Sequence, residues 1–499
     1  MADERETGEG DAIAASESAT AVPDAVPLVV DLDGTLLRTD MLHESALILL
    51  RDRPLAVLRI PSWLRHGKAA LKQRLATLAA FDPAALPYHE PLLEWLGERR
   101  KEGRRLVLCT ASDGTIAAAV AAHLGIFDEV IASDGRTNMG GATKAEALAR
   151  RFGRGGFDYV GDSLADVPVW KEARRGVVVG GAGRSEPAAR AVCEIEHVFA
   201  PPRAGLSAWR RALRPHQWLK NLLLFVPLVA GHDLGDAPAW LALLVAFASF
   251  SLCASSVYIT NDLLDLESDR LHPRKRHRPF AAGDLPAWQG VVAAPLLLAT
   301  GVILGAAVNA TFLGWLAGYF LLTCAYSWAL KRVLLVDCLT LALLYTLRIV
   351  AGAAAAAQAL SFWLLAFSVF LFLSLAFVKR YAELELQQRL GGGKLHGRGY
   401  HATDAPLIQA LGIAAANASV LVLALYVNSA DVVRLYAAPQ MLWGAVPVML
   451  FWTSWMWMQA HRGRMHDDPL VFALKDRASL AAGAVFAVVL VAGAVGVPW

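Results

Sequence analysis

Long apolar segments in the second half of the chain constrain its fold more than any other feature. From about residue 218 onward each segment is roughly 17 to 23 residues long, and about 20 apolar residues in a helix cross the hydrocarbon layer of a membrane. A backbone in lipid must satisfy its own hydrogen bonds, which favours α-helices. The sequence therefore predicts an all-α membrane domain over 218–499, with nine spans at 218–234, 239–260, 289–308, 311–329, 335–357, 361–378, 408–428, 437–458 and 478–498.

Positive charge is concentrated in every second loop between these segments. The basic loops are 270–278, 331–332, 379–401 and 461–477, whereas the alternate loops carry Arg434 as their one basic residue. By the positive-inside rule, the basic loops and everything N-terminal to the first span lie in the cytoplasm. We therefore expect a multi-pass protein of the cell (inner) membrane, with its C-terminus on the outer side.

The first 200 residues have the composition of a soluble domain. An acidic stretch over 1–27 lacks a signal-peptide pattern and is expected to be a disordered tail. Residues 28–200 alternate helical stretches with apolar segments, which predicts an α/β domain with a parallel sheet. A helical insertion, or cap, is expected over about 36–96 and a linker over 201–217. The predicted strands are 28–30, 106–110, 157–162 and 176–179.

Polar side chains follow three of these strands. Asp31 and Asp33 come directly after the first strand, Thr110 ends the second, and Asp162 ends the third. The carboxyl ends of parallel strands are where open α/β sheets bind ligands. Phosphoryl transfer needs an anionic nucleophile, a metal and a cation, and Lys144, at the start of a predicted helix, supplies the cation.

These motifs resemble those of the haloacid dehalogenase superfamily, which has a Rossmann-like fold with a helical cap. The competing explanation is a set of acidic turns, which four motifs in the same order disfavour. The resemblance implies a phosphatase with Asp31 as nucleophile, Asp33 as general acid/base, Thr110 and Lys144 as phosphoryl ligands, Asp31, Asp33 (through its backbone) and Asp162 as Mg²⁺ ligands, and Asp166 as support.

An acidic motif follows the second apolar segment. At 100° per residue, Asp262, Asp265 and Asp269 project from one helix face. Three carboxylates at a membrane boundary repel one another unless a cation lies among them, which predicts Mg²⁺ holding a diphosphate, with Asp262 and Asp265 as catalytic residues. An acidic loop without function is the alternative. The basic run over 270–279, which contains Lys275 and Arg278, suits diphosphate or phosphate capture. It abuts two membrane spans and lacks interleaved stacking aromatics, which disfavours nucleic-acid binding.

This motif, with Asn261, resembles the UbiA superfamily of membrane prenyltransferases over residues 205–499. Of the second acidic motif of that family only Asp337 remains, following Tyr326 and Lys331, which disfavours an allylic diphosphate donor. Further segments are similar to decaprenyl-phosphate phosphoribosyltransferases, at 214–221, 275–283, 347–352, 378–384 and 467–477. The resemblance implies phosphoribosyl pyrophosphate as donor and polyprenyl phosphate as acceptor, in synthesis of arabinan precursors for cell-wall polysaccharides.

A lipid phosphate acceptor needs cations beside the membrane. Arg348 is the strongest candidate, because an arginine inside a span is costly without a partner. Snorkelling or topology-setting charge is the alternative for each cation. The predicted substrate-binding set is Lys220, Asn221, Asn261, Lys275, Arg278, Tyr326, Lys331, Asp337, Arg348, Lys379 and Arg380.

Three functions are therefore compared. The preferred one is a Mg²⁺-dependent phosphoribosyltransferase whose fused phosphatase removes the 5-phosphate of the lipid product. The second is an aromatic or quinone prenyltransferase with an unrelated phosphatase domain, and the third is a transporter or scaffold. A homo-oligomer is left open.

Overall fold

The computed structural model describes residues 26–180, 184–200, 205–393, 398–465 and 468–496. Two compact units divide the chain, Met1–Pro202 and Arg203–Trp499. Nearly all of the predicted tail, residues 201–204 of the predicted linker and Trp499 lie outside the described residues.

A parallel six-stranded sheet forms the centre of the first unit. Its strand order is β3-β2-β1-β4-β5-β6. Apolar side chains alternate between its two faces, so that Val30 packs on one side and Val29 on the other, and both sides are buried. The strands are β1 (Leu28–Val30), β2 (Leu106–Asp113), β3 (Glu129–Ser133), β4 (Asp158–Gly161), β5 (Arg175–Val179) and β6 (Glu194–Phe199).

The predicted α/β fold is confirmed, although two strands were not predicted. Both β3 and β6 lie at sheet edges, where glutamates such as Glu129 and Glu194 interrupt the apolar pattern. A search for continuous apolar runs recognises buried central strands and misses half-exposed edge strands.

Helices cover the sheet and form the insertion between β1 and β2. The insertion has a small core of its own around Leu49, Leu71 and Leu75. The helices are α1 (Met41–Asp52), α2 (Ile60–Leu64), α3 (Lys68–Leu78), α4 (Glu90–Lys101), α5 (Gly114–Leu124), α6 (Gly141–Phe152), α7 (Val167–Glu172) and α8 (Ser185–Arg190), with 3₁₀ turns at Pro54–Arg59, Pro83–Ala85 and Leu164–Asp166.

The second unit is entirely helical. Its helices are α9 (Leu206–Leu213), α10 (Pro215–Trp218), α11 (Val226–Ala230), α12 (Ala237–Leu264), α13 (Leu266–Leu271), α14 (Ala287–Val308), α15 (Ala310–Trp328), α16 (Val336–Ala355), α17 (Phe362–Arg389), α18 (Ala405–Val427), α19 (Ala430–Leu435), α20 (Ala445–His461), α21 (Pro469–Ala473) and α22 (Arg477–Val495), with 3₁₀ turns at Leu219–Phe225, Lys275–His277, Leu330–Arg332, Ala402–Asp404 and Pro439–Gly444.

Seven helices among the described residues are long and apolar enough to cross a membrane, namely α12, α14 to α18 and α22. The predicted count of nine is therefore not confirmed. The first predicted span is divided between the end of α10, a 3₁₀ turn and α11, and Pro215 and Pro227 lie in the first turns of α10 and α11. The span predicted at 437–458 begins as a 3₁₀ turn and continues as the 17-residue α20.

Close helix packing depends on glycines, as two examples show. A Cβ on Gly301 of α14 would lie 3.0 Å from the Ser249 carbonyl oxygen of α12, and one on Gly412 of α18 would overlap the Trp457 ring of α20. Such close approach is how membrane helices gain packing contacts. The most enclosed helices are α12 and α16, which carry the polar residues described next.

Candidate active sites

The predicted phosphatase residues meet at the carboxyl edge of the sheet. Asp31 and Asp33 follow β1, Thr110 lies in β2, and Asp162 follows β4. Lys144 reaches this edge from the first turns of α6 and is 2% exposed. Because these strands are neighbours in the sheet, residues far apart in sequence share one site.

Asp31 is held by a buried cation and a backbone amide. Its Oδ1 lies 2.9 Å from the Lys144 Nζ and accepts a 2.8 Å hydrogen bond from the Leu32 N–H. The same ammonium donates to the Tyr159 hydroxyl at 2.9 Å, and that hydroxyl donates to Asp166 at 2.7 Å. Asp166 thus positions Lys144 through Tyr159, which agrees with a supporting role.

Three carboxylates converge beside this lysine. One oxygen from each of Asp31, Asp162 and Asp166 lies within 4.8 Å of the others. Burial and the two neighbouring carboxylates raise the pKa of Asp162 to about 8. Oxygen ligands, and acid–acid repulsion that Lys144 relieves only in part, fit a divalent cation such as Mg²⁺.

A glycine permits the close approach at this site. Gly34 has φ +76°, and a Cβ there would lie 2.5 Å from the Asp162 Oδ2. Only glycine fits both the backbone conformation and the space. Gly34 therefore allows the Asp162 carboxylate to pack against the loop that follows β1.

Asp33 faces away from the three-carboxylate group. It accepts hydrogen bonds from the Met41 N–H at 2.8 Å and the Ser112 hydroxyl at 2.6 Å, and the Thr110 hydroxyl lies 3.4 Å away. Burial raises its pKa. Its carboxylate thus has the surroundings of a proton donor, and among the described residues it is not one of the converging acids.

The insertion contributes a lysine that sequence inspection missed. Lys72, in α3, donates to the Ala111 carbonyl at 2.6 Å and to the Asn138 side chain at 3.1 Å. Burial lowers its pKa, although Asp33 opposes the shift. No sequence motif marks Lys72, because only the fold of the insertion brings it to the site.

A polar cavity of about 480 Å³ lies within the second unit. Its lining includes seven cations and three carboxylates, an excess of positive charge that suits an anionic ligand. The charged lining residues are Arg214, Lys220, Arg274, Arg348, Lys379, Arg389, Arg398, Glu383, Glu385 and Asp468.

The predicted substrate-binding residues divide into three groups in the structure. Five line the cavity, three are fully buried and do not line it, and three belong to the segments after α13 and α15. These groups are, in that order, Lys220, Asn261, Tyr326, Arg348 and Lys379; Asn221, Asp337 and Arg380; and Lys275, Arg278 and Lys331.

The first acidic motif lies where α12 gives way to α13. Asp262 bonds to Arg214 at 2.6 Å and to Arg278 at 3.1 Å, and Arg278 also contacts Asp269 at 2.5 Å. Asp265 separates the two helices, so the motif is not one continuous helix as predicted, although backbone hydrogen bonds bridge the break.

A cation could complete this arrangement. The Oδ1 of Asp269 is buried, has no hydrogen-bond donor among the described residues and lies 3.7 Å from the Lys275 Nζ, and carboxylate oxygens are the ligands that Mg²⁺ prefers. Arg214 reaches Asp262 from a left-handed backbone conformation with φ 53°, which is strained for a residue with a Cβ. The Asp269 oxygen therefore fits a cation, although in the described part of the chain only Asp31, Asp162 and Asp166 bring three carboxylates within 4.8 Å of one another.

Asp468 joins two lysines of the cavity. Its carboxylate lies 2.7 Å from the Lys220 Nζ and 3.8 Å from the Lys379 Nζ, and it accepts from the Tyr345 hydroxyl at 2.7 Å. Asp468 precedes α21, in a segment that the sequence marked only as a family signature. It belongs to the site although sequence analysis did not assign it there.

Arg348, in the middle of α16, finds the partners expected of a buried arginine. It donates to the Asn221 side chain at 2.9 Å, to the Tyr319 hydroxyl at 3.0 Å and to the Leu344 carbonyl. Its guanidinium also lies over the Tyr319 ring at 4.8 Å. Asn221 thus orients Arg348 from behind the cavity wall.

Asp337 has a different environment from that of a metal ligand. It is fully buried and contacts Arg380 at 2.5 Å, Arg398 at 3.2 Å and the Tyr400 hydroxyl at 2.5 Å. Arg398 then reaches the Tyr326 hydroxyl at 3.1 Å. Asp337 is thereby placed to orient Arg398 at the cavity wall, and Arg398 was not predicted.

Family models match both halves of the chain. A family model described as the UbiA prenyltransferase family matches residues 222–481. A second model, described as haloacid dehalogenase-like hydrolase, matches residues 28–171.

Three relatives extend this result. An uncharacterized protein of Sinorhizobium fredii is 39% identical over 93% of this chain and 90% of its own length. The nodulation protein NoeC of Azorhizobium caulinodans is 40% identical over 54% of this chain and 87% of its own. A decaprenyl-phosphate phosphoribosyltransferase of Mycolicibacterium smegmatis is 38% identical over 40% of this chain, and the match spans 64% of that protein.

Proposed function

Because the chain belongs to the UbiA prenyltransferase family and carries a haloacid dehalogenase-like hydrolase domain, we propose that it transfers phosphoribose to a lipid phosphate and then dephosphorylates the product. The donor is phosphoribosyl pyrophosphate and the acceptor a polyprenyl phosphate. In the transfer, the bond between ribose C1 and the pyrophosphate oxygen breaks as C1 bonds to the lipid phosphate, and pyrophosphate leaves. The name of the mycobacterial relative supports this choice.

The charge of the membrane cavity is the observation that carries the proposal. Two phosphorylated substrates require separate anion sites, and the cavity lining holds two groups of cations with different carboxylate partners. Arg214 bonds to Asp262 of the acidic motif, where the pyrophosphate would bind. Lys220 and Lys379 share Asp468 and are the proposed ligands of the acceptor phosphate.

Mg²⁺ would be held in this proposal by Asp262, Asp265 and Asp269. When bound, it neutralises charge that develops on the departing pyrophosphate. Arg278 already bridges Asp262 and Asp269, so it keeps their carboxylates in place and presents positive charge to the same ligand. The buried Asp269 oxygen without a hydrogen-bond donor supports the assignment.

The first unit would act on the 5-phosphate of the lipid product. Asp31 attacks phosphorus, the ester oxygen of the ribose departs with a proton from Asp33, and water then hydrolyses the aspartyl-phosphate. Lys144, bonded to Asp31, offsets charge on the phosphoryl oxygens. Since both sites belong to one chain, the phosphatase is held near the membrane where the product forms.

The test is the mass of the lipid product. Purified protein, Mg²⁺, labelled phosphoribosyl pyrophosphate and polyprenyl phosphate should yield polyprenyl phosphoribose without a 5-phosphate. With Asp31→Asn, which keeps the shape of the side chain but removes the nucleophile, the 5-phosphorylated lipid should accumulate. Identical lipids from both proteins would assign the phosphatase another substrate.

The same reaction mixture tests donor choice. Asp337 is saturated by two arginines and a tyrosine, which argues against a second metal-binding motif for allylic diphosphates. We therefore expect no transfer from geranyl or farnesyl diphosphate to 4-hydroxybenzoate. Formation of a prenylated aromatic acid would replace the proposal with an aromatic prenyltransferase.

A further inference from the structure

The insertion of the first unit presents an unusual outer surface over residues 50–68. Leu55 and Leu58 are 80% and 78% exposed, the highest values for large apolar residues described in that unit. Leu50 and Leu64 are exposed beside them. Exposed leucines grouped in this way mark a surface that binds something apolar.

The local structure explains why these leucines cannot turn inward. The segment is a 3₁₀ turn, Pro54–Arg59, followed by α2. Its inner face is already occupied by Val57, Ile60 and Trp63, which pack on the core of the insertion. Leu55 and Leu58 are three residues apart, and side chains at that spacing align along a 3₁₀ turn. The segment is therefore apolar on both faces.

Basic residues surround this apolar stripe. Arg53, Arg59, Arg65 and Lys68 are exposed, and in the described parts of the chain none of the four forms an ion pair. The one acidic residue of the segment, Asp52, is paired with Arg51 at 2.7 Å. The surface thus combines unpaired positive charge with exposed leucines, the combination found in helices that lie in a membrane interface.

We propose that residues 50–68 dock on an anionic lipid surface. The leucines enter the boundary between headgroups and acyl chains, and the four basic residues contact lipid phosphates. Charge complementarity favours lipid over an apolar protein groove, and a chain with several membrane helices always has such a surface nearby. The inference does not depend on which substrate the phosphatase uses.

Hydrogen exchange of the full-length protein tests this docking. The protein is reconstituted in nanodiscs of phosphatidylcholine alone or with phosphatidylglycerol, and peptides covering residues 50–68 are followed by mass spectrometry. We expect exchange roughly tenfold slower in the anionic nanodiscs, because docked amides are shielded from water. Peptides from β2 should exchange alike in both and report that the domain remains folded.

Variants separate charge from apolar contact. Arg59→Gln with Arg65→Gln should weaken docking roughly 25-fold, about fivefold for each charge, and Leu55→Ser with Leu58→Ser should also abolish protection. The matched control is Arg150→Gln with Arg154→Gln, which removes two exposed arginines from another face of the same unit and should leave protection intact.

Two results would overturn the proposal. Fast exchange of the 50–68 amides in every lipid mixture would show that the surface stays in water. Slow exchange of these amides to the same extent in detergent, neutral nanodiscs and anionic nanodiscs would show that protein covers the surface, either the membrane unit or a second copy. Neither result would affect the product-mass test of the proposed function.

Discussion

The pKa values of two buried carboxylates, one in each unit, are shifted in opposite directions. Asp162 stands among other acids, so its pKa rises to about 8. Burial would also raise the pKa of Asp468, but Lys220 and its neighbours lower it to about 2. At Asp162 burial and the neighbouring acids outweigh the Lys144 ammonium, which fits a metal ligand, whereas at Asp468 the cations outweigh burial, which fits a residue that positions them.

Asp468→Asn tests this positioning role. Without the negative charge, Lys220 and Lys379 repel each other and lose their shared anchor. We expect the KM for polyprenyl phosphate to rise about tenfold with a smaller change in kcat, the pattern of lost ground-state binding. Asp476→Asn, at the N-cap of α22, is the matched control and should leave KM unchanged.

The acidic motif is predicted to act on transfer alone. Asp262→Ala or Asp265→Ala should reduce Mg²⁺-dependent transfer at least about 100-fold, the scale of losing one transition-state contact. Hydrolysis of a generic phosphomonoester should be retained, because that reaction uses the acids of the other unit. Glu267→Ala, on the neighbouring turn, is the control, and full transfer activity in both aspartate variants would contradict the metal assignment.

At the scale of elements, the sequence was most informative where a pattern is uniform. Continuous apolar runs predicted β1, β2 and the long helices, and strand order brought Asp31 and Asp162 together as expected. It was least informative where tertiary contacts decide. Pro227 lies where the first apolar segment changes from a 3₁₀ turn to α11, and Lys72 and Arg398 reach their sites from an insertion and a loop that carry no motif.

The surroundings of Asp337 could not be predicted from the sequence alone. Its position at the start of α16 suggested the remains of a metal motif, yet the folded chain surrounds it with Arg380, Arg398 and Tyr400. Those partners come from α17 and the following loop, more than 40 residues away in sequence. Local spacing contains no information about such contacts.

Asp337→Asn should therefore destabilise the membrane unit. Removing the Asp337 charge leaves the fully buried Arg380 with the partly exposed Glu383 as its remaining counter-charge among the described residues, and costs about 3 kcal/mol. Thermal unfolding in detergent measures the loss. Asp284→Asn, whose partner Arg211 is half exposed, should cost less than about 1 kcal/mol. Equal stability of the two variants would mean that the Asp337 cluster is not structural.

The whole molecule combines two sites that need different surroundings. The proposed phosphatase site requires water, and it lies at the carboxyl ends of the strands in the first unit. The proposed transfer site requires a lipid substrate, and it lies in the second unit, in which seven of the described helices are long and apolar enough to cross a membrane. Composition along the chain predicted this division. It could not predict that Leu55 and Leu58 are exposed, because that depends on which side chains of the same segment pack on the core of the insertion.

Covalent linkage of the two sites leads to the last prediction. A protease site placed after Pro202, at the boundary of the units, allows the chain to be cut after reconstitution in liposomes. Transfer should be unchanged by cleavage. Dephosphorylation of the lipid should fall steeply when excess protein-free liposomes are added to the cut protein, because linkage holds the phosphatase at an effective concentration of about a millimolar and the detached unit redistributes over all available lipid. The uncut protein, diluted in the same way, should keep the same ratio of dephosphorylated to 5-phosphorylated lipid throughout.

The contradicting outcome is a cut protein in which this ratio does not respond to added liposomes. That result would show that the units remain associated without the covalent connection, and that linkage contributes nothing to the coupled reaction.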